Sequence, residues 1–162
     1  MIVFAGNPSS ANAGLWRVSA AGGRPERLVQ PDSARGEAGD LWPHFLPGGK
    51  AVVFEVRLAI AENDSLAVVR LSDGRVTRLG IQGNNPRYAV SGHLLFGRID
   101  GTVTAVRCDP GSFKVSGPEV AVLESVICAS GGVAASGAAA FDLASNGTWC
   151  TRRNGPRDTS CW

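Results

Sequence analysis

Long apolar runs, amphipathic helical stripes and an excess of either charge are all missing from this 162-residue chain. Nothing in it approaches the roughly 18 consecutive apolar residues of a membrane-spanning helix, and the stretch ICASGGVAASGAAAF is too rich in Gly, Ala and Ser to serve. The opening MIVFAG has no charged segment ahead of a long apolar one, so a secretory leader is not expected. No window shows apolar residues at i, i+3, i+4 and i+7, which argues against a helical domain. Net charge is only +2, and Arg152, Arg153 and Arg157 against Asp158 near the end account for all of it. A balanced remainder leaves no basic footprint for nucleic acid and none for an anionic membrane surface.

Chemistry is equally sparse. Two histidines, His44 and His93, and four cysteines, Cys108, Cys128, Cys150 and Cys161, form no C-x-x-C or other zinc spacing. Free and mostly buried thiols are therefore expected. There is no G-x-S-x-G elbow, no G-x-x-x-x-G-K-[ST] phosphate loop and no His-Arg-Asp or Asp-Phe-Gly of a kinase. No cofactor, metal or catalytic group is predicted. Glu37, Asp40 and Glu55 have no evident partner and read as solvated surface carboxylates.

What the chain has in abundance is glycine, 21 residues of it, which signals many turns between short elements. It also repeats. IVFAG with Phe4, AVVFEV with Phe54 and LLFGR with Phe96 are counterparts separated by 50 and 42 residues. Ahead of two of them stands an x-Pro-x-aromatic clasp, Trp42-Pro43-His44-Phe45 and Asn85-Pro86-Arg87-Tyr88, each followed four residues later by a glycine, Gly49 and Gly92. A looser copy has Phe141 followed by Gly147, with a turn two residues longer. A second hairpin follows each unit, clearest in SLAVVRLSDGRVTRLG, whose Asp-Gly favours a tight two-stranded turn.

Hairpin plus hairpin in about 45 residues is the blade of a β-propeller. A single four-stranded blade cannot bury both of its apolar faces, whereas blades stacked around an axis bury one another's. The predicted fold is all-β, a partial propeller of about three four-stranded antiparallel blades over 1–150. Blades fall at roughly 1–30, 42–80 and 85–124, a further one begins over 136–150, and 151–162 reads as an irregular tail. Phe4, Phe45, Phe54, Tyr88, Phe96 and Phe141 are expected as wedges between blades. Thr151 stands where the fourth copy would carry its aromatic. IVFAG matches a second strand with none before it. The pattern thus reads as a fragment of a larger propeller, whose open blade edges would allow self-association.

WPHFLPGGKAVVF together with SLAVVRLSDGRVTRL resembles the TolB-like, WD-repeat-like propellers of bacteria. GLWRVSAAGGRPERLV and ARGEAGDLWPHFLPGGKAVVF are similar to the propeller half of bacterial serine/threonine protein kinases. The turns depart from the family's Pro-Asp-Gly, reading Leu-Pro-Gly-Gly, Val-Ser-Gly and Ser-Asn-Gly. The resemblance implies a non-catalytic interaction or sensor module, binding a protein or small ligand at the propeller face, within a larger protein such as a receptor-like kinase. The alternatives are a propeller gating a prolyl-oligopeptidase-like hydrolase and a gene remnant without function. His44 and Arg87 share one repeat position, on the strand expected nearest the axis, and Trp42 and Asn85 share another two residues earlier. These four are the candidate binding residues. They read either as a recognition surface or as polar neighbours of the clasp that satisfy backbone groups between blades.

Overall fold

The computed structural model describes residues 1–128, 138–144, 147–152 and 159–161. Every sheet in it is an antiparallel meander of consecutive strands. The first joins β1 (Ile2–Ala5), β2 (Leu15–Val18) and β3 (Glu26–Val29). The second joins β4 (Glu37–Phe45), β5 (Ala51–Leu58), β6 (Ser65–Arg70) and β7 (Val76–Gln82). The third joins β8 (Asn84–Ala89), β9 (His93–Gly97), β10 (Val103–Cys108) and β11 (Val115–Leu123). The fourth joins β12 (Phe141–Leu143), β13 (Trp149–Arg152) and β14 (Thr159–Cys161). Two sheets thus have four strands and two have three. Strand also occupies part of the segment from 151 where the sequence pattern suggests an irregular tail.

Local chemistry explains the hairpins. Between β6 and β7, Gly74 sits at φ 69° and its N–H reaches the Arg70 carbonyl at 2.9 Å. The Asp73 carboxylate accepts the Arg75 N–H at 3.0 Å, so Asp-Gly supplies both the backbone conformation and a side-chain bond. The first turns of the second, third and fourth sheets close alike: Gly49, Gly92 and Gly147 donate to Leu46, Ala89 and Ala144 at 3.0, 3.0 and 2.9 Å. The third copy of the clasp therefore has the same turn as the others, not a longer one. The equivalent of Phe45 and Tyr88 is Leu143, and Phe141 takes the place of Pro43 and Pro86.

Packing follows the blade logic. Phe54 meets Leu15 and Val29 of the first sheet, Phe96 meets Val53, Leu66 and Val68 of the second, and Phe141 packs with Leu95 and Val103 of the third. Phe54 and Phe96 are fully buried and Tyr88 nearly so, its hydroxyl donating to the Cys108 carbonyl at 3.0 Å. Thr151 stands at the place of Phe54 and Phe96, buried, with no partner for its hydroxyl among the described residues. Two expected wedges fail. Phe4 and Phe45 are 36% and 38% exposed. Residues at the Phe54 position face the preceding sheet, and among the described residues Phe4 has none before it. Phe45, opposite Val52, faces the first sheet, where β1 stands toward β4 as β5 stands toward β8 and, among the described residues, no strand lies inside it.

Further expectations are corrected. Glu55 and Asp40 are buried, at 0% and 1% exposure, and the Glu37 side chain is only 5% exposed and paired with Arg78. A sequence pattern cannot show that a strand's charged position lies between two sheets rather than on the outside. The thiols divide as well: Cys108 and Cys128 are free, but Cys150 is disulfide-bonded. In the β13–β14 backbone register it stands opposite position 161.

Candidate functional site: the inner-strand cluster

The first strands of successive sheets converge, with β4 against β8 and β8 against β12. These are the innermost strands of their blades, and all four candidate residues lie on β4 and β8. Both strands break register at the same point, between Leu41 and His44 and between Asn84 and Arg87. At each break a non-glycine residue takes a left-handed backbone, Trp42 at φ 52° and Asn85 at φ 47°, and a proline follows. A bulge suits proline, which has no N–H to give the ladder. For tryptophan such a φ is an outlier that costs on the order of 1–3 kcal/mol. The result is an indole left 38% exposed on the inner strand.

Two residues beyond each bulge the chain presents a polar side chain. His44 and Arg87 are half-buried, and the same position on β12 is Asp142, which the turn-glycine correspondence identifies. Arg87 Nε donates to Asp142 Oδ1 at 2.7 Å, and its Nη1 donates to the Pro86 carbonyl at 2.9 Å. Burial lowers the His44 pKa and the Arg87 charge lowers it further, against a smaller opposite pull from Asp142. Burial works against ionisation of Asp142, but the Arg87 and Leu143 hydrogen bonds and the Arg87 and His44 charges outweigh it and hold the carboxyl below its ordinary value. Three consecutive blades thus contribute histidine, arginine and aspartate to one cluster.

Beside it lies a hollow of about 460 Å³, lined by Trp42, Arg87, Asp142, Cys150, Thr151 and Arg152 among others. Asn85 also reaches this hollow, but it is 4% exposed and its amide is committed: Nδ2 donates to the Ala139 and Phe141 carbonyls at 2.8 and 3.0 Å. Its backbone N–H, freed by the bulge, goes to Glu55 Oε2 at 3.1 Å. Asn85 is a clasp between blades, while Trp42, His44 and Arg87 retain surface. Asp142 and Arg152 escape the sequence reading because Phe141 imitates the aromatic of the clasp and draws the alignment two residues out of step. The glycine of the turn was the available signal.

No family model matches the chain, and no curated protein matches it. Among solved structures it is similar to TolB from Acinetobacter baumannii, with a TM-score of 0.55 at 20% identity over 91% of this chain and 34% of that one. The chain spans about a third of the length of that protein. At this identity the likeness speaks to the fold, and the fold is that of a TolB-like β-propeller.

Proposed function

We propose that the chain is a non-catalytic interaction module of a propeller protein and that it holds a peptide segment of its partner in the inner-strand hollow. The observation that carries this reading is the repeated bulge. Two blades bend the same strand at the same place, and in one of them an unfavourable tryptophan backbone leaves an indole open beside an Arg–Asp pair. Backbone strain of this kind survives only where surrounding structure enforces it, and it gathers at ligand sites. An exposed aromatic flanked by arginine is also the composition of binding hot spots. Among the described residues the hollow holds Arg87, Arg152 and Asp142 as its charges, a set suited to a peptide with acidic side chains. The resemblance of the first two blades to the propellers of bacterial serine/threonine kinases supports a place beside such a kinase, where the module would act as a sensor.

The test is selection of a displayed random-peptide library on the folded chain. Enriched peptides should carry Asp or Glu and should bind at least tenfold more weakly to the Trp42→Ala and Arg87→Ala variants. Arg75→Ala, on the distant β6–β7 turn, should leave them unchanged. Peptides indifferent to Trp42 and Arg87 would sink the reading.

A further inference from the structure

A second concavity lies on the face of the third sheet that looks toward the fourth, and it shares no lining residue with the inner-strand hollow. Strand alternation puts Leu95 on β9, Ala105 on β10 and Val120 and Val122 on β11 on that one face, because successive side chains point to opposite sides. Leu143 and Trp149, paired across β12 and β13, form the opposing wall. The described residues of the fourth sheet cover the inner part of this face, where Leu95 and Val103 are buried, and leave its outer part open. Val120 and Val122 are 53% and 41% exposed. The groove between them measures about 640 Å³, within the range of small-molecule sites.

One end of the groove is polar and positive. Arg107 stands in register between His93 on β9 and Ser116 on β11. Ser91, hydrogen-bonded to His93 Nδ1 at 3.1 Å, completes this end. All four lie in the lining, and the lining contains no aspartate or glutamate. Arg17, Arg35, Arg70, Arg78, Arg87 and Arg98 each meet a carboxylate, whereas Arg107, like Arg24, Arg27, Arg75 and Arg152, meets none among the described residues. An apolar trough ending in one unneutralised guanidinium and two hydroxyls complements a ligand with an apolar body and one anionic head. The guanidinium fork suits a carboxylate.

We propose that this groove binds an amphipathic carboxylate with a single alkyl chain, its head at Arg107 and its tail along Ala105, Val120 and Val122 toward Trp149. The probe is dodecanoate below its micellar concentration, titrated calorimetrically into the full chain beside dodecanol and dodecyltrimethylammonium. Dodecanoate should bind saturably, and the quaternary ammonium at least tenfold more weakly. Arg107→Gln should weaken dodecanoate at least tenfold and leave dodecanol unchanged. Val120→Glu, on an exposed outer strand where the fold is not at risk, should weaken dodecanoate by a similar factor. Ala105→Phe should fill the trough and abolish binding of both dodecanoate and dodecanol. Equal affinity for the cationic and anionic probes, indifference to Arg107→Gln, or no binding of dodecanoate would each overturn the proposal. The peptide test of the inner-strand hollow is independent of all three.

Discussion

The interface between the second and third sheets and that between the third and fourth are built on the same strand positions but closed by different chemistry. In the first, twelve buried residues including Phe96, Leu66 and Tyr88 form one cluster. Glu55 reaches across to the backbone N–H that the Asn85 bulge sets free. In the second, six buried residues do the packing among the described residues, and the position of Glu55 is taken by Gly97. A Cβ there would come within 2.4 Å of both the Ala139 Cβ and Asn84 Oδ1. Asn84 and Asn85 use that space: Asn84 Oδ1 accepts the Ala139 N–H at 3.0 Å, and the Asn85 amide holds two carbonyls beyond it. One interface is an apolar wedge with a buried acid, the other a smaller core laced by backbone hydrogen bonds.

The largest test of this contrast compares two phenylalanines. Phe96→Ala empties a fully buried site in the larger cluster and should cost about 3–5 kcal/mol in denaturant unfolding. Phe141→Ala, in the smaller and more polar interface, should cost at least about 1 kcal/mol less, because fewer side chains lose contact. If Phe141→Ala is the more damaging, the ranking of the two interfaces is inverted. Next comes Glu55. Burial is the main cause that pushes its pKa up to about 8, and the charge of Asp64 adds to it, against the Asn85 N–H and Arg57. A raised carboxyl means that the folded state binds the proton more tightly. Stability should therefore fall as pH rises from the ordinary value of 4.5 through about 8. Glu55→Gln should match the parent at pH 5 and exceed it at pH 8 by on the order of a few kcal/mol. A parent as stable at pH 8 as at pH 5, with no gain from glutamine, would show that Glu55 does not hold its proton between the sheets.

These two interfaces also show what sequence could and could not supply. Phe54 and Phe96 recur with an apolar strand around them, so the repeat, the strands and the all-β propeller class are legible from spacing alone. Burial at the ends of the array is not, because it depends on the neighbouring sheet and not on the residue: Phe4 and Phe45 carry the same signal as Phe54 and Tyr88 yet stay exposed. The clasp located the inner strands and the residue pairs Trp42–Asn85 and His44–Arg87. It could not separate Trp42, which stays open, from Asn85, which is spent on the next sheet. That distinction arises from the fourth sheet's carbonyls, 54 and 56 positions further along.

The smallest expected effect bears on the link between the fourth sheet and the inner-strand cluster. The Arg87–Asp142 pair joins a side chain 14% exposed to one 75% exposed, so water screens it and its worth is about 0–1 kcal/mol. Asp142→Asn should therefore change stability at pH 7 by less than about 1 kcal/mol, far below either phenylalanine change. Its signature is in acid. The folded state holds the Asp142 carboxyl below its ordinary value of 3.8, so its stabilisation is complete above that pH and disappears as pH falls through the depressed value. Losing the carboxylate also removes an influence that raises the His44 pKa, so in Asp142→Asn the imidazole should titrate lower than in the parent, as followed by NMR. An unmoved His44 titration would mean that the three inner strands do not share one electrostatic cluster. The third and fourth sheets would then be joined by the asparagine clasps and their small core alone.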